Sequence, residues 1–141
     1  MHTRSAAAFL FVSGLLLLAI GAAILLTPNA FFATNGIVVG TDPSQLSEVR
    51  APGGLLTASA LVLLVAAFRS IWRTQALRLA VLVYGSFGVA RLLGMALDGL
   101  PTSGLVVSTA IELAVAAVGA ALLVRSGDAP ARIAPATAAA R

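Results

Sequence analysis

Long apolar runs broken by brief polar segments set the pattern of this chain. The first, residues 6–26, carries no charge over 21 positions, enough for a helix to cross a bilayer at about 1.5 Å per residue. Residues 51–68, 76–97 and 105–124 form three further runs joined by short connections. The pattern predicts an all-α membrane fold, an antiparallel bundle of four transmembrane helices. A cleaved signal peptide is the rival reading of the first run, with Met1, His2, Thr3 and Arg4 as its basic lead. The apolar stretch is too long for that, and no Ala-x-Ala signal stands before the next polar segment.

The connections carry signals of their own. Thr27-Pro28 ends the first helix, and Phe31-Phe32 followed by Asn35-Gly36 predicts a short interfacial helix closed by a left-handed cap. Its phenylalanines are expected to anchor it among lipid headgroups. Asp42-Pro43-Ser44-Gln45 is a helix start, with an acidic N-cap, proline at the first helical position and glutamine three residues past the cap. The second helix is therefore expected to begin ahead of its apolar run. A bend is expected near Pro52, which has no N–H for the carbonyl of Glu48. Residues 69–75, with Arg69, Trp72 and Arg73, read as a basic turn at a membrane surface, and Asp98-Gly99-Leu100-Pro101 as the last turn. Residues 1–124 then form one domain, and residues 125–141, rich in alanine, proline and arginine, a disordered cytoplasmic tail.

Composition narrows the classes of function. With 60% hydrophobic and 10% charged residues, a chain of 141 residues has more apolar surface than a water-soluble fold of that size can hide. Cysteine is absent, which removes disulfides, thiolate metal sites and cysteine nucleophiles. The single histidine, His2, rules out a multi-histidine metal centre, and no cofactor motif is present.

The net charge of +4 comes from nine arginines and no lysine. They stand at helix ends, without a basic patch interleaved with aromatics, which argues for membrane topology and against a nucleic-acid partner. An inside N-terminus puts Arg4, Arg69, Arg73, Arg78, Arg125, Arg132 and Arg141 on the cytoplasmic side and leaves Arg50 and Arg91 in the outer half. Both ends are thus expected inside. Arginine-only basic usage with abundant alanine points to a GC-rich bacterial genome, and so to the bacterial inner membrane.

That topology gives each charge a depth. Arg91 falls roughly 9 Å below the outer end of the third helix, and Glu112 roughly 10 Å down the fourth, so the two opposite charges share a level. A lone charge in a membrane helix costs about 2.5–3.5 kcal/mol at the bilayer centre, so an ion pair between adjacent helices is expected. Glu48, Arg50 and Asp98 gather at the same end of the bundle, and the inner half holds nothing similar. Tyr84, Gly88, Arg91 and Asp98 share one face of the third helix; Ser108, Glu112 and Gly119 share one face of the fourth. Gly53, Gly54 and Thr57 would bring the small and polar face of the second helix alongside. The candidate ligand-binding residues are accordingly Arg50, Gly53, Gly54, Thr57, Tyr84, Arg91, Ser108 and Glu112. The competing structural reading is a set of ion pairs, Arg91 with Glu112 and Arg50 with Glu48 or Asp98, that only fix helix register.

The order Glu48-Val49-Arg50-Ala51, Gly53-Gly54, Arg91, Asp98-Gly99-Leu100-Pro101 and Glu112 resembles that of an uncharacterised family of short bacterial four-helix membrane proteins, known only as a domain of unknown function. The resemblance covers roughly residues 8–124. It departs from the family pattern at Pro52, where an aromatic is usual, and at Ala90, where a glycine is. A distant likeness to the DoxX-type four-helix proteins accompanies it. The resemblance implies an architecture and a recurrent polar cluster, not an activity.

Three functions compete. The first is a binding or accessory protein whose outer cluster takes a lipid headgroup, a quinone-like or isoprenoid molecule, or a membrane-protein partner, including a second copy of the chain. The second is an intramembrane isomerase, hydrolase or cyclase using Glu48, Asp98 or Glu112 as acid and base on an apolar substrate, with Arg50 or Arg91 holding developing negative charge. The third is a small proton-coupled transporter built on Glu112. The absence of any second polar level on the inner side speaks against it.

Overall fold

The computed structural model describes residues 2–127, with side chains over residues 4–125. Five helices follow in order: α1 (His2–Leu26), the short α2 (Pro28–Ala33), α3 (Pro43–Phe68), α4 (Arg73–Asp98) and α5 (Ser103–Gly127), with a 3-10 turn at Ser70–Trp72 between α3 and α4. α1, α3, α4 and α5 are each long and apolar enough to cross a membrane. Most of the tail expected to be disordered lies outside the described residues, and its first three positions simply extend α5.

Local chemistry sets the ends. The Asp42 carboxylate accepts from the N–H groups of Ser44 and Gln45, both at 3.0 Å, and Pro43 opens α3, as its sequence predicts. α2 closes as its Asn35-Gly36 pair predicts: Ile37 N–H donates to Phe32 O at 3.1 Å, Gly36 N–H to Ala33 O at 3.0 Å, and Gly36 takes φ 73°. That is the left-handed closure glycine adopts without strain. α3 runs through Pro52 as one helix.

The helices pack in two pairs. α1 lies along α3 and α4 along α5, with lighter contact between the pairs. Glycine makes the first pair tight: a Cβ on Gly21 would stand 2.7 Å from the Thr57 nitrogen, and one on Gly53 2.8 Å from the Leu25 nitrogen. Residue numbers climb on α1 as they fall on α3, so the two are antiparallel. Gly88 beneath Leu113 and Gly119 beneath Val81 do the same for α4 and α5.

The two ends of the bundle differ. Toward the Trp72 end, Leu10, Leu63 and Leu77 are fully buried, and Ala60, Ala66, Ala76 and Ala80 let α1, α3 and α4 close on one another. Midway, the Tyr84 hydroxyl donates to Ser13 O at 2.6 Å, tying α4 to α1. Val12, Leu55, Leu82, Val118 and many other large apolar residues face outward, a surface suited to lipid and unsuited to water. The chain is built as a small multi-pass membrane protein.

Candidate functional site

Toward the α2 end the bundle does not fill. A cavity of about 380 Å³ lies between the two helix pairs, with walls from every helix. α1 contributes Leu16, Leu17, Ile20 and Ile24; α3 contributes Pro52 and Leu56; Phe31, Phe32, Asn35 and Ile37 stand at the α2 side. α4 supplies Val83, Tyr84, Phe87 and Arg91, and α5 supplies Leu105, Ser108, Ile111 and Glu112. The lining is mostly apolar with a few convergent polar groups, the composition of a small-molecule site, and its volume falls within the usual range of about 300–1,000 Å³.

Arg91 and Glu112 meet in this wall. The Arg91 Nε donates to Glu112 Oε1 at 3.2 Å and stands 3.2 Å from Oε2 as well. The contact is an ion pair that joins α4 to α5. The Glu112 side chain is 15% exposed and that of Arg91 33%, so the carboxylate is the deeper partner. Its Oε2 is enclosed and accepts no hydrogen bond. The pair engages Arg91 through Nε alone, which leaves both Nη groups without an acceptor among the described residues.

The other polar groups in the wall are mostly committed. The Tyr84 hydroxyl hydrogen goes to Ser13 O, and that of Ser108 to Gly104 O at 3.0 Å. Asn35 donates to Thr34 Oγ1 at 3.2 Å and accepts from Thr102 Oγ1 at 3.4 Å, linking the α2 segment to the start of α5.

The remaining candidate residues stand elsewhere. Arg50 turns back to α1, its Nε donating to Leu25 O at 3.1 Å, where it satisfies a carbonyl of the last helical turn. It pairs with neither Glu48 nor Asp98, both of which are exposed. Gly53 is buried in the α1–α3 contact, Gly54 faces open space, and Thr57 lies over Gly21 with its hydroxyl bonded to Gly53 O at 2.8 Å. Of the eight ligand-binding candidates, Tyr84, Arg91, Ser108 and Glu112 share the cavity wall; of the three carboxylates, only Glu112 does.

The wall also holds residues that the sequence did not mark as site candidates. Phe31 and Phe32, expected among headgroups, are half-buried, pack on the core and line the cavity. Asn35 was visible only as part of a cap. The α1 residues lie in a run apolar on all sides, where nothing marks one face as inward. Among the described residues no three His, Cys, Asp or Glu side chains cluster as a metal site would need.

A family model described as a domain of unknown function (DUF4345) matches residues 5–123. No curated protein and no solved structure matches the chain.

Proposed function

The chain belongs to the DUF4345 family, and from that premise we propose that it is a membrane protein that binds a small lipid-like molecule in the cavity between its helix pairs. One observation carries the reading: an apolar cavity of about 380 Å³ whose wall holds the Arg91–Glu112 pair. A pair that served register alone would gain most from close packing around it. Here it borders open volume, and the outer edge of its guanidinium has no protein acceptor among the described residues.

The bundle sits in a bacterial inner membrane with both chain ends on the cytoplasmic side, α2 in the outer interface and the cavity in the outer half. Supporting that orientation, Arg4, Arg69, Arg73, Arg78 and Arg125 all stand toward the Trp72 end. Since the chain lacks cysteine, single cysteines at Val38 and Ile71 give a direct check. An impermeant thiol reagent added to intact cells is expected to label the first and spare the second; the reverse pattern would invert the topology.

Native mass spectrometry of the protein released from membrane nanodiscs tests the ligand. A small apolar molecule is expected to stay with the wild type and to be lost from Ser108→Phe, which fills the cavity. A protein neighbour held in its place, or equal retention by the filled variant, would refute the reading.

A second reading draws on Glu112 as an acid–base group in the cavity wall beside an apolar substrate. It requires that Glu112→Gln abolish turnover of the bound molecule while leaving its retention intact.

A further inference from the structure

We infer that the polar end of the occupant is a neutral hydrogen-bond acceptor, a carbonyl group on a single chain or small ring system, held by the Nη groups of Arg91. The inference rests on the cavity being a ligand site and adds the chemistry of what fills it.

Size comes first. A cavity of about 380 Å³ lies near the lower end of the range of about 300–1,000 Å³ for small-molecule sites, room for one hydrocarbon chain or a compact ring system and far too little for a two-chain phospholipid. Apolar side chains from α1 and α3, with Val83 and Phe87 of α4, surround most of it.

Hydrogen-bond inventory comes second. Among the residues that line the cavity, the donors without an acceptor among the described residues are the two Nη groups of Arg91 and one amide hydrogen of Asn35. The hydroxyl hydrogens of Tyr84 and Ser108 are taken by backbone carbonyls, and the Glu112 oxygen that accepts no hydrogen bond is enclosed. The wall therefore offers donors to the occupant, and a group that accepts without donating answers them.

Charge comes third. Glu112 already balances Arg91 at 3.2 Å, so the pair brings no net charge to the cavity. An ionised phosphate or carboxylate there would add an uncompensated negative charge in apolar surroundings, close to the Glu112 carboxylate. A carbonyl draws on the same donors without that cost.

The experiment compares three probes of similar chain length: methyl undecyl ketone, dodecyl phosphate and tridecane, each equilibrated with the full chain in nanodiscs and measured by native mass spectrometry. The ketone is expected to be retained over both others by about tenfold, the worth of one hydrogen bond to a charged donor. Because Arg91 variants can fail to fold with Glu112 left alone, the test variant is the double change Arg91→Gln with Glu112→Gln, which removes both charges together. It is expected to level the ketone with tridecane, and Ser108→Phe to expel all three. Dodecyl phosphate retained best, or a ketone preference that survives the double change, would overturn the head-group inference and leave the cavity reading standing. Failure of every probe to bind, or retention unaltered in Ser108→Phe, would overturn the cavity reading itself.

Discussion

Removing one charge from the Arg91–Glu112 pair should destabilise the protein more than removing both. Arg91→Leu leaves the Glu112 carboxylate, 15% exposed, ionised or forced to protonate among apolar neighbours, a change expected to cost about 3–5 kcal/mol. Glu112→Leu strands the arginine instead. Arg91 is 33% exposed and has a long stem on which to reach the headgroup layer, so its cost falls lower, at about 2 kcal/mol. The double leucine variant loses the attraction and both desolvation penalties together and should lie within about 1 kcal/mol of wild type. The cycle then gives a coupling of at least about 4 kcal/mol. Unfolding by sodium dodecyl sulfate in mixed micelles, followed by helical circular dichroism, measures all four proteins. Losses that simply add in the double variant would refute the reasoning, since the two side chains would then stabilise the bundle independently. The exchanged pair, Arg91→Glu with Glu112→Arg, should regain part of the lost stability in the same assay.

Adjacent glycines give a sharper structural contrast: Gly53→Ala presses a methyl group against α1 and should lose about 1–3 kcal/mol, whereas Gly54→Ala meets nothing within 4 Å and should gain about 0.5–1 kcal/mol of helix stability in the same unfolding experiment. Asp42→Ala removes the cap of α3 and should cost about 1 kcal/mol, with faster hydrogen exchange at the Ser44 and Gln45 amides. Tyr84→Phe deletes the 2.6 Å bond to Ser13 O and should cost about 0.5–1.5 kcal/mol in thermal unfolding; an unchanged midpoint would show that the bond contributes no net stability.

The sequence is most informative where backbone chemistry is local. The Asp42-Pro43 start, the Gly36 cap and the Gly99 turn each follow from what one residue's side chain or φ angle permits, and all three form as expected. Arg91 and Glu112 are legible for another reason. A charge within an apolar helix has few places to go, so two opposite charges at one depth identify each other. The facing of α1 and α3 is not legible. Their apolar residues run around the whole circumference, and lipid and protein interior favour the same side chains, so no stripe separates the cavity wall from the outer surface. The same ambiguity hides the different surroundings of Gly53 and Gly54. Arg50 is misleading because an arginine near carboxylates suggests an ion pair, while an open helix end offers it a carbonyl with no other donor.

The placement of the glycines has a mechanical consequence. Backbone contacts at Gly21 and Gly53 lock α1 to α3, and Gly88 and Gly119 seat α4 against α5, so each pair is built as one tightly packed arm. The arms are clamped at one end by the Leu10, Leu63 and Leu77 packing and held midway by the Tyr84–Ser13 bond. Beyond that fulcrum only side chains cross the gap. The molecule is in effect a pair of tongs: at the α2 tip the arms are joined by the Thr102–Asn35 side-chain hydrogen bond, and among the described residues no backbone hydrogen bond runs between them there.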